Sequence, residues 1–348
     1  MLHHWSLATD GNGSTVRTIL VDYRKAFDLI DHNILITKLC QLDLPRSIIN
    51  WIIDFLSNRY QRIKVADECF SEWGSVPSGV PQGTKLGPWL FIIMINDLDI
   101  SGPHLWKFVD DTTASEVVLK GGVSKAQEIA HQVTKWSSEN RVQLNSDKCK
   151  ELRISFARNT QDFEPIVINE KELEVVESAK LLGVTISNNL SWNAHMEEVI
   201  KKASKRLYYL VQLRRAKVPP SDLALFYTSC IRSVMDYAAP VFHHSLPKYL
   251  MNELVRIEKR AMKIIQPNTD YQAVLVNLNI EPIIQHHSKL CNKLFRAARS
   301  DPSHKLNCLL PPKHDSSYNL RKKRIFDIPR MRTDRAKNSF IMAMCMNF

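Results

Sequence analysis

The sequence predicts an α+β fold, a sheet layer with helices followed by a separate helical half, and three observations carry that expectation. Residues 1–157 alternate short apolar strand signals with helix signals. Two of those strands end in acids: Thr18-Ile19-Leu20-Val21 runs into Asp22, and a second apolar run passes through Phe108-Val109 into Asp110-Asp111. From residue 194 onward the pattern changes to long amphipathic helices with basic outer faces. The first part is read as a split βαβ, ferredoxin-like sheet with helices.

Taken in order, residues 17–21 read as a strand. Residues 33–40 and 45–57 read as helices, the second with Pro45 in its first turn, where a missing N–H costs nothing. Residues 62–65 alternate polar and apolar, and residues 69–76 can pair with them as a hairpin. The run Pro77-Ser78-Gly79-Val80-Pro81-Gln82-Gly83 is rich in turn formers and leads into an apolar helix over 86–98. Residues 105–109 and 112–118 flank the Asp-Asp tip, and a helix over 123–140 and a strand over 152–156 complete the layer.

Behind it, residues 194–213 set Met196, Val199, Ile200, Ala203, Leu207, Leu210 and Val211 on one stripe, with Lys201, Lys202, Lys205 and Arg206 on the other side. Pro219-Pro220-Ser221 breaks this helix and starts the next. Residues 247–265 repeat the pattern, with Leu250, Leu254, Ile257, Ala261 and Ile264 inward and Arg256, Lys259, Arg260 and Lys263 outward. Residues 313–337 hold nine Lys and Arg against three Asp and Glu, are interrupted by Pro329, and read as only partly ordered.

Composition narrows the function classes. With 348 residues, 44% of them hydrophobic, the chain buries a real core and makes two or three domains, which excludes a disordered protein. Its longest apolar run, residues 89–95, falls far short of the roughly 20 residues needed to cross a bilayer. No basic-then-apolar leader opens the chain, so a soluble intracellular protein with no membrane partner is expected. The seven cysteines are scattered and never form Cys-x-x-Cys, which points to neither a disulfide framework nor a zinc knuckle. His3-His4, His243-His244 and His286-His287 lack companion ligands at metal spacing and read as surface or packing residues. Charge is the sharper signal. Residues 1–157 carry 17 Lys and Arg against 18 Asp and Glu, while residues 158–348 carry 30 against 18. The basic half calls for a polyanion, nucleic acid ahead of anionic membrane.

Two adjacent carboxylates at a hairpin tip repel each other unless a cation neutralises them. A chain of this length holds about one Asp-Asp pair by chance, and a polar turn is the plain alternative. What raises the pair above chance is Asp22 at the end of another strand. Phosphoryl transfer onto a hydroxyl needs cations on both the attacking and leaving oxygens, which two Mg²⁺ ions about 3.5–4 Å apart provide. Asp22 and Asp110 are the expected bridging ligands, with Asp111 a weaker ligand or structural.

Around these acids the residues resemble the reverse transcriptases of non-LTR (LINE-type) retrotransposons. Leu20-Val21-Asp22-Tyr23-Arg24-Lys25-Ala26-Phe27-Asp28-Leu29-Ile30-Asp31-His32 is similar to that family's first palm motif. Gly79-Val80-Pro81-Gln82-Gly83-Thr84-Lys85-Leu86-Gly87-Pro88 is similar to the second, Phe108-Val109-Asp110-Asp111 to the third, and Leu144-Asn145-Ser146-Asp147-Lys148-Cys149-Lys150 to the fourth. Leu181-Leu182-Gly183-Val184 with Leu190-Ser191-Trp192 resembles the segment that leads from palm to thumb. Each motif is weak alone; five in order are a strong signal. The resemblance extends to the late run from Arg332 through Ser339-Phe340.

By that resemblance the chain divides into a palm at 1–157, palm-to-thumb strands with the primer grip at 158–192, a helical thumb at 193–266 and a basic C-terminal helical region at 267–348. The implied activity is RNA-directed DNA polymerisation with two Mg²⁺ ions, taking an RNA template, a DNA primer and deoxynucleoside triphosphates. Asp22 and Asp110 would hold the metals, with the backbone carbonyl of Tyr23 as a further ligand and Asp111 completing the acidic triad. Phe27 falls where the family excludes a ribose 2′-hydroxyl, although ordinary core packing asks for the same residue. Gln82 and Gly83 would line the incoming nucleotide and template base, and Lys148 would approach the triphosphate. Leu182 and Gly183 would form the primer grip, for which a buried strand is the alternative. Lys201, Lys202, Lys205 and Arg206 would meet duplex phosphates. The family sets a fingers subdomain ahead of its first motif, whereas Asp22 follows only 21 residues here, so fingers are expected to be largely absent. A catalytically silent remnant that at most binds nucleic acid is the alternative function.

Overall fold

The computed structural model describes residues 1–100, 104–158, 161–314 and 325–347. They form two compact units, Ser14–Glu177 and Met1–Gly13 with Ser178–Phe348. The first unit is built on a sheet whose strands are β1 (Thr15–Val21), β2 (His104–Phe108), β3 (Asp111–Val118), β4 (Lys150–Ser155) and β5 (Glu174–Val176), in the order β5-β4-β1-β3-β2. β1 runs antiparallel to both β3 and β4, β2 antiparallel to β3, and β5 parallel to β4. Helices α1 (His32–Cys40), α2 (Arg46–Leu56) and α3 (Leu86–Ile95) lie between β1 and β2 in the chain, and α4 (Ala126–Glu139) lies between β3 and β4. This is the connectivity of a split βαβ sheet.

Local chemistry sets the ends of these elements. The Asp31 carboxylate accepts from the N–H groups of Asn33 and Ile34 at 2.8 and 3.2 Å and so caps α1. The helix expected to reach Leu98 stops at Ile95. Its last carbonyls turn instead to the Lys107 ammonium on β2, which donates to the carbonyls of Ile95, Asn96 and Leu98 at 3.0, 2.9 and 2.9 Å. The helix expected from Val123 starts only at Ala126, because the Glu116 carboxylate binds the Ser124 hydroxyl and, at 2.8 Å, the Lys125 N–H. Leu35, Leu39, Ile52, Leu56, Leu90, Phe91, Met94, Ala130 and Val133 pack with Ile19 and Val21 into the unit's main core. The expected hairpin is present as two short ladders, Tyr60–Gln61 with Gly74–Ser75 and Lys64–Ala66 with Cys69–Phe70, all exposed.

β1 is buried almost throughout, yet it carries Arg17. Its guanidinium meets Glu151 of β4 at 2.6 Å, and Arg153 meets the same carboxylate at 2.8 Å. Two further bonds, to the Ser124 hydroxyl at 2.9 Å and the Glu164 carbonyl at 3.0 Å, complete the shell of Arg17. Burial alone would raise the Glu151 carboxyl; the hydrogen bonds from Arg153 and Arg17 outweigh it and leave that group below its ordinary range.

In the second unit, the strands Ser178–Leu181 and Val184–Ser187 form a hairpin, followed by α5 (Asn193–Arg215), α6 (Lys248–Ile265) and α7 (Ile283–Ser300). Pro219 and Pro220 end one helix and open the next, Pro220–Phe226, as expected from the sequence. On α6 the inward stripe is Leu250, Leu254, Ile257, Glu258, Ala261, Met262 and Ile265, so Ile265 takes the place expected of Ile264. Glu258 is fully buried and accepts from the Tyr227 and Tyr271 hydroxyls at 3.1 and 2.7 Å and from the Ile283 N–H at 3.1 Å. Residues 2–13 join this unit through Asp10, which accepts from the N–H groups of Arg332 and Thr333 at 2.7 and 2.8 Å. Residues 315–324, part of the tail expected to be partly ordered, lie outside the described residues. Among the described residues no helix is long and apolar enough to cross a membrane.

Glu151→Gln leaves two arginines without their counter-charge and is expected to destabilise the protein by about 3 kcal/mol in urea unfolding. Because the folded pKa of Glu151 lies below its ordinary value, its contribution is complete above that value and declines as pH falls through the depressed one. The wild-type protein therefore loses this stability on acidification, and the Gln variant shows a shallower acid dependence.

Candidate active site

Register brings the acids together. Val21 is paired with Thr112, so Asp22, the next residue along, lies across from Asp111 at the adjoining ends of β1 and β3. Phe108 is paired with Asp111, which leaves Val109-Asp110 as a two-residue turn between β2 and β3. Val109 has a φ of +55°, a conformation that a β-branched residue adopts only when its surroundings impose it, at a cost of about 1–3 kcal/mol. Lys107, pinned by three carbonyls, and the β2–β3 ladder hold the turn on either side.

Burial first, and then the charges of Asp110 and Asp22, raise the Asp111 carboxyl above the ordinary carboxylate range. The three acids therefore share one electrostatic environment. Among the described residues no three His, Cys, Asp or Glu side chains form a ready-made metal-holding group.

The fourth sequence motif runs alongside the first. Asn145 donates its N–H to the Asp22 carbonyl at 2.8 Å, Arg24 donates to the Gln143 carbonyl at 2.8 Å, and Tyr23 and Leu144 form the bridge between those bonds. The bridge uses the carbonyls of Asp22 and Gln143 and leaves that of Tyr23 outside the pairing. The Asp22 N–H points to Cys149 Sγ at 3.4 Å, and burial raises that thiol. The Tyr23 ring is buried edge-on to Trp136, which pushes its hydroxyl up to about 12. Lys148 is exposed on the same loop.

The Gly-rich segment clamps onto the chain just after Asp22. Val80 donates to the Phe27 carbonyl and Gly79 to the Ile30 carbonyl, both at 2.8 Å. Gly79 has a φ of +80°, and a Cβ there would lie 2.5 Å from the Asp28 carbonyl oxygen, so only glycine fits. Gln82 donates to Asp28 Oδ1 at 2.8 Å, and Gly83 follows with a φ of +78°. Phe27 is half-buried and stacks on Phe91 with ring centroids 5.0 Å apart. A cleft of 610 Å³ opens here, lined by Lys25, Asp28, Arg59, Gln61 and the run from Ser78 to Gln82. Arg59 and Gln61 were not anticipated as site residues. Nη1 of Arg59 has no hydrogen-bond partner among the described residues. Only the folding of the hairpin base against the Gly-rich segment identifies them.

The remaining candidates lie in the other unit. Leu182 and Gly183 form the turn of the Ser178–Leu181/Val184–Ser187 hairpin, and Leu182 is 46% exposed, so the buried-strand alternative does not describe it. Lys201, Lys202 and Lys205 are exposed on α5. Arg206, expected to face outward with them, is half-buried and donates to the Cys230 carbonyl.

Comparison with known proteins gives the lineage. The family model described as "Reverse transcriptase (RNA-dependent DNA polymerase)" matches residues 6–186, and a model described as "Alkylated DNA repair protein alkB homolog 8, N-terminal" matches residues 192–233. The chain is 22% identical over 312 residues to the probable RNA-directed DNA polymerase from transposon X-element of Drosophila melanogaster, covering 85% of this chain and 34% of that protein. It is 24% identical over 260 residues to the RNA-directed DNA polymerase from mobile element jockey of the same species, covering 70% and 28%. The chain thus spans about a third of the length of these curated relatives. Among solved structures, a Candida albicans telomerase in complex with a fragment of telomeric RNA is similar over 82% of this chain and 48% of that one, at 13% identity and a TM-score of 0.35. The strand-end acids, the glycine-rich clamp and a family match over residues 6–186 agree, and the chain belongs to the reverse transcriptase family, on its non-LTR, LINE-type branch.

Proposed function

We propose that this chain is the palm and thumb portion of an RNA-directed DNA polymerase that adds deoxynucleotides to a primer 3′-hydroxyl on an RNA template. The observation that carries the reading is the meeting of Asp22, Asp110 and Asp111 at adjoining strand ends, with Asp111 raised by burial and by its two neighbours. Carboxylates so placed repel until a cation joins them, which fits a divalent metal site. Mg²⁺ is commonly held by one or two carboxylates together with substrate phosphates, so a closed all-protein cage is not required. Asp22 and Asp110, with the Tyr23 carbonyl, would hold two Mg²⁺ ions, and Asp111 would add negative charge beside them. When bound, such ions neutralise charge on the attacking and leaving oxygens of a phosphoryl transfer.

The chain's own groups do the rest. The 610 Å³ cleft with Lys25, Arg59, Gln61 and Gln82 supplies donors and positive charge for a nucleotide and its template partner. Phe27, braced by Phe91, supplies a flat apolar wall whose bulk would clash with a ribose 2′-hydroxyl, a steric means of choosing deoxynucleotides. Lys148 stands exposed on the loop hydrogen-bonded to the Asp22 segment, where its ammonium can meet triphosphate oxygens. Residues 14–157 act as palm, 158–192 as the strands leading to the thumb, with Leu182 and Gly183 as primer grip, 193–266 as thumb and 267–348 as a basic C-terminal region; residues 1–13, expected in the palm, belong instead to the unit that holds the thumb. Lys201, Lys202 and Lys205 meet duplex phosphates; Arg206 braces the thumb from within.

The test is Mg²⁺-dependent primer extension on an RNA template, with this chain alone and with a fingers segment supplied. Asp110→Asn is expected to lower extension by about 10³-fold, the scale of losing a preorganised charge-stabilising group. Equal extension by that variant would remove the metal assignment, and duplex binding without any extension would leave a nucleic-acid-binding chain instead.

Replacing Lys201, Lys202 and Lys205 together by Ala is expected to weaken binding of an RNA–DNA duplex regardless of its sequence. The slope of log K against log salt should flatten by about 0.9 for each phosphate that a lysine no longer neutralises. An unchanged slope would show those lysines to be ordinary solvated charge.

A further inference from the structure

The Leu182-Gly183 turn needs outside support. Both residues are left-handed, with φ of +47° and +79°, between the paired Leu181 and Val184, which is the two-residue turn that favours Asn-Gly or Asp-Gly. Leucine has no side-chain oxygen with which to stabilise that conformation locally. Tyr237 supplies the support instead. Its hydroxyl donates to the Leu182 carbonyl at 2.7 Å, and its ring lies 3.1 Å from where a Cβ on Gly183 would be. Gly183 is thus required twice, for its backbone angle and for the ring beside it.

Tyr237 is itself firmly held. The residue before it, Asp236, is met by Arg232 at 3.4 Å, His286 at 3.3 Å and His287 at 3.0 Å. Upstream, Arg206 of α5 donates to the Cys230 carbonyl inside the π-helical turn Tyr227–Arg232. Downstream, Ala238 is left-handed at a φ of +57°, which turns the chain away directly after the ring. Yet 55% of Tyr237 stays exposed, so core packing does not explain this bracing. Beside the turn lies a pocket of 280 Å³ lined by Lys180, Gly183, His195, Lys202 and Tyr237 among others.

We propose that Tyr237 is a positioning residue for the primer: its hydroxyl and ring fix the Leu182-Gly183 turn in the one conformation that receives the primer's 3′-terminal nucleotide. The proposal rests on the primer-grip reading of that turn. It assigns to Tyr237 no contact with the reacting atoms.

The experiment measures binding of the full chain to two fluorescent probes by anisotropy: an RNA template with a recessed DNA primer, and the same duplex closed by a loop at each end so that it has no primer terminus. The wild-type chain is expected to prefer the recessed probe about fivefold or more, and Tyr237→Phe, which keeps the ring and loses one hydrogen bond, to lose most of that preference. Its affinity for the closed duplex, carried by Lys201, Lys202 and Lys205, stays as in the wild type, and its thermal midpoint falls by only about 2–4 °C, the cost of one hydrogen bond. Gly183→Ala is expected to lose the preference as well, and to cost less thermal stability in a Tyr237→Ala background, where the clash with the ring is gone and only the left-handed backbone penalty remains. No preference in the wild-type chain overturns the primer-grip reading and this proposal with it. A wild-type preference that persists in Tyr237→Phe overturns the proposal alone.

Discussion

The candidate site depends on one backbone register, the antiparallel pairing of β1 with β3 that sets Val21 against Thr112. Side chains alternate between the two faces of a sheet, so a slip of one residue would turn every side chain of β1 to the wrong face. Such a slip would also move Asp22 away from Asp111. β1 is buried between β3 and β4, and Arg17 ties it to both sides, meeting Glu151 of β4, which Arg153 also meets, and donating to Ser124 in the segment after β3. A charge cluster far from the strand end thereby helps to keep three repelling carboxylates together.

That arrangement stores unfavourable energy at its working end. Asp111 is raised by burial and by two neighbouring acids, and Val109 adopts a left-handed conformation that costs a β-branched residue about 1–3 kcal/mol. Stability elsewhere offsets this: the Lys107 ammonium joins the end of α3 to the strand leading into the turn, and the Gly79 clamp closes over Asp28. Like-charge repulsion gathered at one strand end is what a cation at the proposed site would relieve. The Leu182-Gly183 turn repeats the logic, since an unfavourable backbone there is held by a side chain distant in sequence.

Much of the layer was legible because its signals are local. Apolar runs bounded by turn formers located β1, β3 and β4, and the stripes on α5 and α6 named most of their buried residues. The errors cluster where a distant partner intervenes. Residues 123–125 read as helix, but Glu116 takes Ser124 and the Lys125 N–H; residues 96–98 read as helix, but Lys107 takes their carbonyls. Arg206 sat on a basic face by spacing, and the Cys230 carbonyl drew it inward. The apolar stripe of α6 gave no sign of a buried Glu258, whose burial is made tolerable by three donors from separate segments.

By itself, then, the sequence located the acids Asp22, Asp110 and Asp111 where two strands end, glycines where the chain must turn, and lysines along an exposed helical face. Those choices follow from residue type and spacing over a few positions, which a linear chain records directly. Only the tertiary structure decided that the acids share one environment, that Arg59 and Gln61 line the cleft, and that Tyr237 braces the turn at Leu182. Each of these joins residues far apart in the chain, and pairings of that kind are selected by packing and hydrogen-bond satisfaction in the folded whole, with no periodicity to announce them.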